Sequence, residues 1–178
     1  MVIRVARAAD STAIAGVHVA SWRSGYEGLL PAAFLASLSV ESYAGRWRDT
    51  LGTGTPQSPT TLVAVVADRL VGFCSVGPSC DDDADPITGE LWALYVHPTM
   101  WRHGVATALH ERAMAELHRR RLVSATLWVL ARNTGAQGIY RSLGWVSDER
   151  HKTDWRGDIR LDEVRYRRAN VFRGVDGE

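Results

Sequence analysis

Several absences narrow what this chain can be. Its two cysteines, Cys74 and Cys80, flank a short segment and form neither a disulfide framework nor a metal pattern, so both read as free thiols. No run of eighteen apolar residues occurs, and Met1-Val2-Ile3-Arg4 lacks the anatomy of a signal peptide, so no membrane partner is expected and the expected location is cytoplasmic. The formal net charge is only +1 and no basic stripe with interleaved aromatics is present, which argues against nucleic acid as a partner. His103, His110 and His118 recur at spacings of seven and eight, not the three or four that would put two ligands on one helical face, and no Cys, Asp or Glu completes a set nearby. No metal is therefore expected. There is no G-x-S-x-G elbow, and no Gly-rich turn with the Lys-Ser/Thr ending of a nucleotide-hydrolysing loop.

What remains is an ordinary globular composition, 46% hydrophobic and 23% charged over 178 residues, enough for one substantial core. The chain is organised around Gly89 to Leu109, GELWALYVHPTMWRHGVATAL. Leu91 to Val96 reads as a strand, His97-Pro98-Thr99-Met100 as a turn, and a helix enters at Gly104. A strand that delivers a Gly-containing turn onto a helix N-terminus makes an anion site, because the first helical N–H groups lack partners and the macrodipole adds positive potential. Arg102 and His103 lie in that turn, where a cation adds charge-assisted hydrogen bonds, and the small Gly104 and Ala106 let a diphosphate approach the backbone.

The segment Trp101-Arg102-His103-Gly104-Val105-Ala106 resembles the acyl-CoA pyrophosphate loop of the GNAT N-acetyltransferases, Q/R-x-x-G-x-G/A. Asn133-Thr134-Gly135-Ala136-Gln137-Gly138-Ile139-Tyr140-Arg141-Ser142-Leu143-Gly144-Trp145 is similar to that family's second signature, N-x-x-A-x-x-x-Y-x-x-x-G-F/W. The first motif departs from the pattern in having Trp101 where Gln or Arg is preferred. The resemblance implies acetyl-CoA as cosubstrate, held by Trp101, Arg102, His103, Gly104, Val105, Ala106 and Thr107 at the loop and by Asn133, Ala136 and Tyr140 on the later helix. It also implies a splayed strand whose backbone N–H groups around Leu94, Tyr95 and Val96 polarise the acetyl carbonyl.

In chain order, Val2 to Ala6 reads as a short edge strand, and Asp10 as the cap of a helix reaching about Ser24. Short helices follow from Pro31 to Leu38 and from Ser39 through Leu51, then a loop from Gly52 to Pro59. Thr61–Ala67 and Leu70–Gly77 form a hairpin turning at Asp68-Arg69, and Cys80 to Thr88, with its aspartates, reads as a solvated connection. After the central stretch come a helix to about Arg121, a strand Val123–Leu130, a helix Thr134–Leu143 ended by Gly144, and strands Trp145–Thr153 and Asp162–Arg168. The expected architecture is a single mixed α/β domain over residues 1–170, of the GNAT type, with a mixed central sheet covered by helices on both faces and a frayed tail over 171–178. The exposed strands and final hairpin are compatible with a homodimer.

Acyl transfer from a thioester to an amine needs a neutral amine, a polarised carbonyl and a proton for the departing thiolate. Glu90 stands fourteen positions before Gly104, where family members carry the acidic residue that deprotonates the acceptor; on residue chemistry alone it reads equally as a solvated carboxylate. Tyr140 resembles the family's general acid, the alternative being a core aromatic. Asn133 reads as an N-cap that can also bond the pantetheine arm. Trp22 and Tyr26, four apart, are candidates for lining an acceptor pocket, as is Trp92, which shares the strand parity of Glu90. The expected function is transfer of acetyl from acetyl-CoA to the primary amine of a small molecule in a ternary complex. The alternatives are acetylation of a protein N-terminus or lysine, and a non-catalytic acyl-CoA-binding module.

Overall fold

The computed structural model describes residues 1–52, 58–169 and 171. In chain order its elements are β1 (Val2–Val5), α1 (Ser11–Gly25), α2 (Ala32–Ser37), α3 (Val40–Gly52), β2 (Thr60–Val66), β3 (Arg69–Pro78), β4 (Thr88–Val96), α4 (Val105–Arg119), β5 (Ser124–Leu130), α5 (Thr134–Ser142), β6 (Val146–Arg156) and β7 (Ile159–Ala169). The strands form one sheet in the order β1-β2-β3-β4-β5-β7-β6, in which only the β4–β5 pair is parallel. This is the expected mixed α/β domain. Among the described residues no helix is long and apolar enough to cross a membrane.

The sheet is covered on two faces for a sequence reason. Along α4 the apolar residues Val105, Leu109, Ala113 and Leu117 fall on one stripe, and all are buried against Leu62, Cys74, Val76, Leu91 and Leu127 of the sheet. Each large side chain removed from water there contributes about 1.5–3 kcal/mol. Of the glycines, the approach is closest at Gly89, where an added Cβ would lie 2.8 Å from Leu117 Cδ2, so a side chain there would require Leu117 to shift. On the opposite face Ile14 and Val17 of α1 pack on Val63 and Phe73, with Trp47 of α3 beside them.

Some local expectations shift. The hairpin turns at Ala67-Asp68, both with positive φ (46° and 60°), one residue earlier than expected. Asp10 precedes α1 but makes no side-chain cap; its carboxylate instead receives the Arg7 N–H and pairs with Arg4 at 2.7 Å. Val171, placed in the expected tail, is buried and bonds Val123 O; the rest of that tail, 172–178, and loop residues 53–57 lie outside the described residues.

Candidate active site

The site begins where the sheet comes apart. β4 and β5 are paired only from Thr88–Glu90 to Ser124–Thr126, and beyond Glu90 they separate. The register between β3 and β4 passes from Ser75↔Ala93 to Val76↔Leu91, so Trp92 is an extra residue on β4, a bulge that bends the strand. The bulge also changes side-chain parity. Leu91 before it, and Leu94 and Val96 after it, all belong to the α4-side core, whereas Ala93 and Tyr95 pack with the α1 side. The Trp92 ring lies beside Gly77, the strand partner of Glu90, so Trp92 shares the Glu90 face and is 39% exposed there.

In the gap the backbone of β4 has no strand to bond. His97 N–H returns to Val71 O on β3, so alternation along the strand directs the Tyr95 N–H toward β3 and the Leu94 and Val96 N–H groups into the gap. Of the three residues named from the sequence for carbonyl polarisation, Tyr95 thus offers a side chain rather than an N–H. The Val96 carbonyl is taken by Ser21 Oγ at 2.9 Å and Trp101 Nε1 at 2.7 Å. Trp101, which departs from the motif, therefore fastens the turn onto the end of β4, a structural contact that Gln or Arg would make differently.

The turn then reaches α4 through Arg102 (φ 66°) and Gly104 (φ 76°), both left-handed. Gly104 is the N-cap and offers no side chain; an added Cβ would meet no atom within 4 Å, so the space above the helix end is open. The first backbone bond into the helix runs from Ala108 N–H to Gly104 O at 3.1 Å, which leaves the N–H groups of Val105, Ala106 and Thr107 pointing out of the N-terminus. Arg102 and His103 are exposed at this end, with His103 Nδ1 2.8 Å from Trp101 O. Three unpaired N–H groups, the helix dipole and one guanidinium make an anion cradle.

Across the gap stands α5. Asn133 caps it, its Oδ1 accepting from Ala136 N–H at 3.0 Å, and Gln137 ties it to the end of β5 by donating to Leu130 O and Ala131 O. Tyr140 projects from this helix with its ring 6.3 Å from that of Trp145. Burial first, then the nearby Tyr95 phenol and Cys74 thiol, push the Tyr140 hydroxyl well above the ordinary tyrosine range. It stays protonated throughout the neutral range, and it has no hydrogen-bond partner among the described residues.

Glu90 is not solvated. It is 9% exposed, and its Oε2 accepts the Cys80 N–H at 3.1 Å. Burial raises its pKa above the ordinary carboxylate value, the Cys80 N–H opposes that, and Asp81 adds to the rise. A proton acceptor for an amine needs that direction of shift. The connection that follows Cys80 is largely exposed, as expected, but two of its aspartates are ion-paired. The guanidinium of Arg165, 3% exposed, binds Asp83 at 2.6 and 2.9 Å and Asp81 at 3.1 Å, while Asp148 meets it at 2.8 Å from a bulge in β6. Trp128 Nε1 donates to Asp81 at 2.8 Å as well. The aspartates thus clamp the β3–β4 connection to the far half of the sheet, and Glu90 inherits its position from that clamp.

Of the aromatic candidates, Trp22 is first a core residue, 7% exposed and packed with Val19, Leu35 and Leu38. Its Nε1 has no hydrogen-bond partner among the described residues. Tyr26 is half-buried, with its hydroxyl 3.4 Å from that of Tyr95. Residues not singled out from the sequence complete the wall. His18 stacks on Tyr95 at 4.9 Å and accepts from Trp47 Nε1; burial first, then Arg156 and Arg46, lower its pKa to about 4, so it is neutral. Glu163 of β7 pairs with Lys152 at 3.7 Å, and the Lys152 ammonium lies 4.4 Å from the Trp128 ring centre. The one sign of Glu163 in the sequence is a charged residue alternating with Val164 and Tyr166, and it becomes meaningful only once β7 is known to pair with β5.

The chain is similar to known proteins in sequence and in fold. The chain is 30% identical over 134 residues to the uncharacterised N-acetyltransferase YuaI of Bacillus subtilis, covering 74% of this chain and 72% of that protein. In fold it is similar to a PaiA N-acetyltransferase from Thermoplasma acidophilum solved in complex with coenzyme A (TM-score 0.74, 18% identity, 95% of this chain and 99% of that one). It is similar too to a ribosomal-protein-alanine N-acetyltransferase from Brucella melitensis (TM-score 0.71, 19% identity, 95% and 99%). Residues 22–145 match the Acetyltransferase (GNAT) family, a span that takes in the gap, the open end of α4 and the whole of α5. This chain therefore belongs to the GNAT family and is an acetyl-CoA-dependent N-acetyltransferase.

Proposed function

We propose that the acceptor is a small molecule bearing a primary amine, and that it attacks the thioester carbonyl directly while both substrates are bound. The observation that carries this is the gap beyond Glu90, which has a buried carboxylate at its base and an unpartnered Tyr140 hydroxyl on its far wall. The pyrophosphate of acetyl-CoA would lie on the free N–H groups of Val105, Ala106 and Thr107, with Arg102 beside it, and the pantetheine arm would run along the open edge of β4 toward Asn133. The thioester carbonyl would accept from the Leu94 or Val96 N–H. Glu90 takes the proton of the acceptor ammonium, the amine nitrogen forms the bond to the carbonyl carbon, and the carbon–sulfur bond breaks. Tyr140 gives its proton to the thiolate, and the second proton that the nitrogen sheds as the amide forms restores the tyrosine through solvent. A small acceptor is favoured over a protein chain because the β6–β7 hairpin faces α2 and α3 across a cleft of about 510 Å³, within the size range of small-molecule sites.

The test is release of CoA thiol across a panel of small primary amines and of peptides, with wild type and Tyr140→Phe. Turnover of small amines, with kcat lowered about 100-fold or more in Tyr140→Phe and the KM for acetyl-CoA unchanged, supports the assignment. Wild-type turnover by Tyr140→Phe removes Tyr140 from the chemistry, and turnover of peptides alone removes the small acceptor. Because the hydroxyl has no partner, Phe at this position should not lower stability, so a loss of rate cannot be assigned to unfolding.

A further inference from the structure

The cleft between α2, α3 and the β6–β7 hairpin presents two arginines, with Asp158 on the same rim, and Glu163 stands four residues further along β7 from its Ile159. Its lining includes Phe34 and Tyr43 from the helices, Arg46 of α3, and Arg156, Asp158 and Ile159 of the hairpin. The Arg46 guanidinium lies 5.4 Å from the centre of the Tyr43 ring and has no carboxylate partner among the described residues. Arg156 is paired with Asp154 at 2.8 Å, but both side chains are well exposed (52% and 36%), and such a pair exchanges readily for a better-placed anion. Two guanidiniums from elements far apart in sequence thus converge on one opening. Both are near enough to His18 to help suppress its protonation, so the ring between them and Tyr95 adds no third cation.

Beyond the residues that line the cleft, further along the β6–β7 hairpin, stands a carboxylate paired with a lysine. Glu163 lies within electrostatic range of Arg156 on one side and of Tyr26 and Tyr95 on the other. Lys152, bonded to Glu163, is within range of Glu90 too, so the two glutamates share one ammonium held over the Trp128 ring. The chain's own lysine shows that a primary ammonium is accommodated at this end.

Building on the acetyltransferase reading, we infer that the acceptor is zwitterionic: a primary amine that also carries a carboxylate or a comparably compact anion. Its amine lies at the Glu90 and Glu163 end, and its anion between Arg46 and Arg156. A guanidinium pair matches a planar anion with directed hydrogen bonds, and the intervening Tyr43, His18 and Tyr95 rings pack on the apolar part of the acceptor. A plain amine would have to strip water from the two arginines without replacing it, which selects against amines lacking the anion.

The experiment uses the full chain and matched sets of acceptors. Each set contains an amino acid (α, β or γ), its carboxamide and the amine lacking the carboxyl group, and thiol release is followed at saturating acetyl-CoA. The expected result is turnover concentrated in the acid members, with kcat/KM at least tenfold above the matched amide and amine. In Arg46→Gln the acceptor KM should rise about tenfold for the acid with kcat nearly unchanged, while the amide is unaffected. Arg46 is exposed, so this variant should fold, and Arg156→Gln repeats the test from the other element. Equal or better turnover of amides and plain amines, or of no acid in the sets, overturns the inference. So does an Arg46→Gln effect that is the same for acid and amide. Calorimetric titration with acetyl-CoA distinguishes the two levels: loss of that binding in wild type would strike the acetyltransferase site, whereas binding without acid preference strikes only the zwitterion.

Discussion

Replacing Gly104 by alanine and by glutamate separates backbone strain from phosphate binding at the start of α4. The residue sits at φ 76°, and a Cβ there meets no atom within 4 Å, so both variants incur conformational strain without a clash. That strain is about 1–2 kcal/mol for an L-residue, which in a domain of this size lowers Tm by roughly 2–8 °C. Charge is what separates the two. A carboxylate about 4 Å from a phosphate costs about 1 kcal/mol per charge at the dielectric of water and about 4 kcal/mol at a protein surface. Two phosphate charges put the added loss at about 2 kcal/mol or more, roughly thirtyfold in Kd. Calorimetric titration with acetyl-CoA, paired with thermal melts, should therefore show similar Tm losses in the two variants and acetyl-CoA binding at least thirtyfold weaker for Gly104→Glu than for Gly104→Ala. Added salt should narrow that difference. Equal affinity of the two variants would refute the placement of the pyrophosphate at the α4 N-terminus.

Three other predictions use the remaining buried charges. Burial raises the Glu90 pKa, so between its ordinary and its folded value the folded state holds the extra proton and stability falls as pH rises. Glu90→Gln should accordingly be as stable as wild type or more so at pH 7.5, yet lose about 100-fold or more in kcat together with the acid limb of the pH–rate profile; a wild-type limb in the variant would exclude Glu90 as the base. His110 is the opposite case. Its Nε2 accepts from Trp145 Nε1 at 2.9 Å, and burial lowers its pKa from 6.5 to about 4, so the unfolded chain binds the proton first as pH falls. Its contribution to stability is complete above pH 6.5 and is lost toward pH 4, by about 3 kcal/mol, and urea midpoints should fall less steeply over that window in His110→Gln than in wild type. Arg165→Met leaves Asp81, Asp83 and Asp148 facing one another, and a drop of about 3–5 kcal/mol in urea unfolding is expected; Asp148→Asn, which keeps the arginine, should cost far less.

The amino-acid sequence by itself determined the order and type of the elements and both signature motifs. These signals are local: an apolar stripe on α4, alternation in β2 and β3, a glycine ahead of a helix, and Asn133 three residues before the N–H that it caps are each read within a few residues. Even the turn at Ala67-Asp68 was misplaced by only one position. What the tertiary structure decided lies between residues far apart in the chain. The aspartates after Cys80 look solvated until Arg165 arrives across the sheet to bind them, and Glu90 looks like the end of an acidic loop until that clamp buries it. Parity along β4 places Trp92 with Glu90 correctly, but the bulge at Trp92 then brings Ala93 and Tyr95 to the α1 side, and no periodicity announces an extra residue. Trp22 carries the helical spacing of a pocket residue, yet α2 covers it. Arg46 and Arg156 line one cleft only because the β6–β7 hairpin lies opposite α3 in the folded chain. Backbone propensity and hydrophobic pattern act over one or two turns of chain, whereas Coulomb pairing and strand register join groups that only the completed fold brings together.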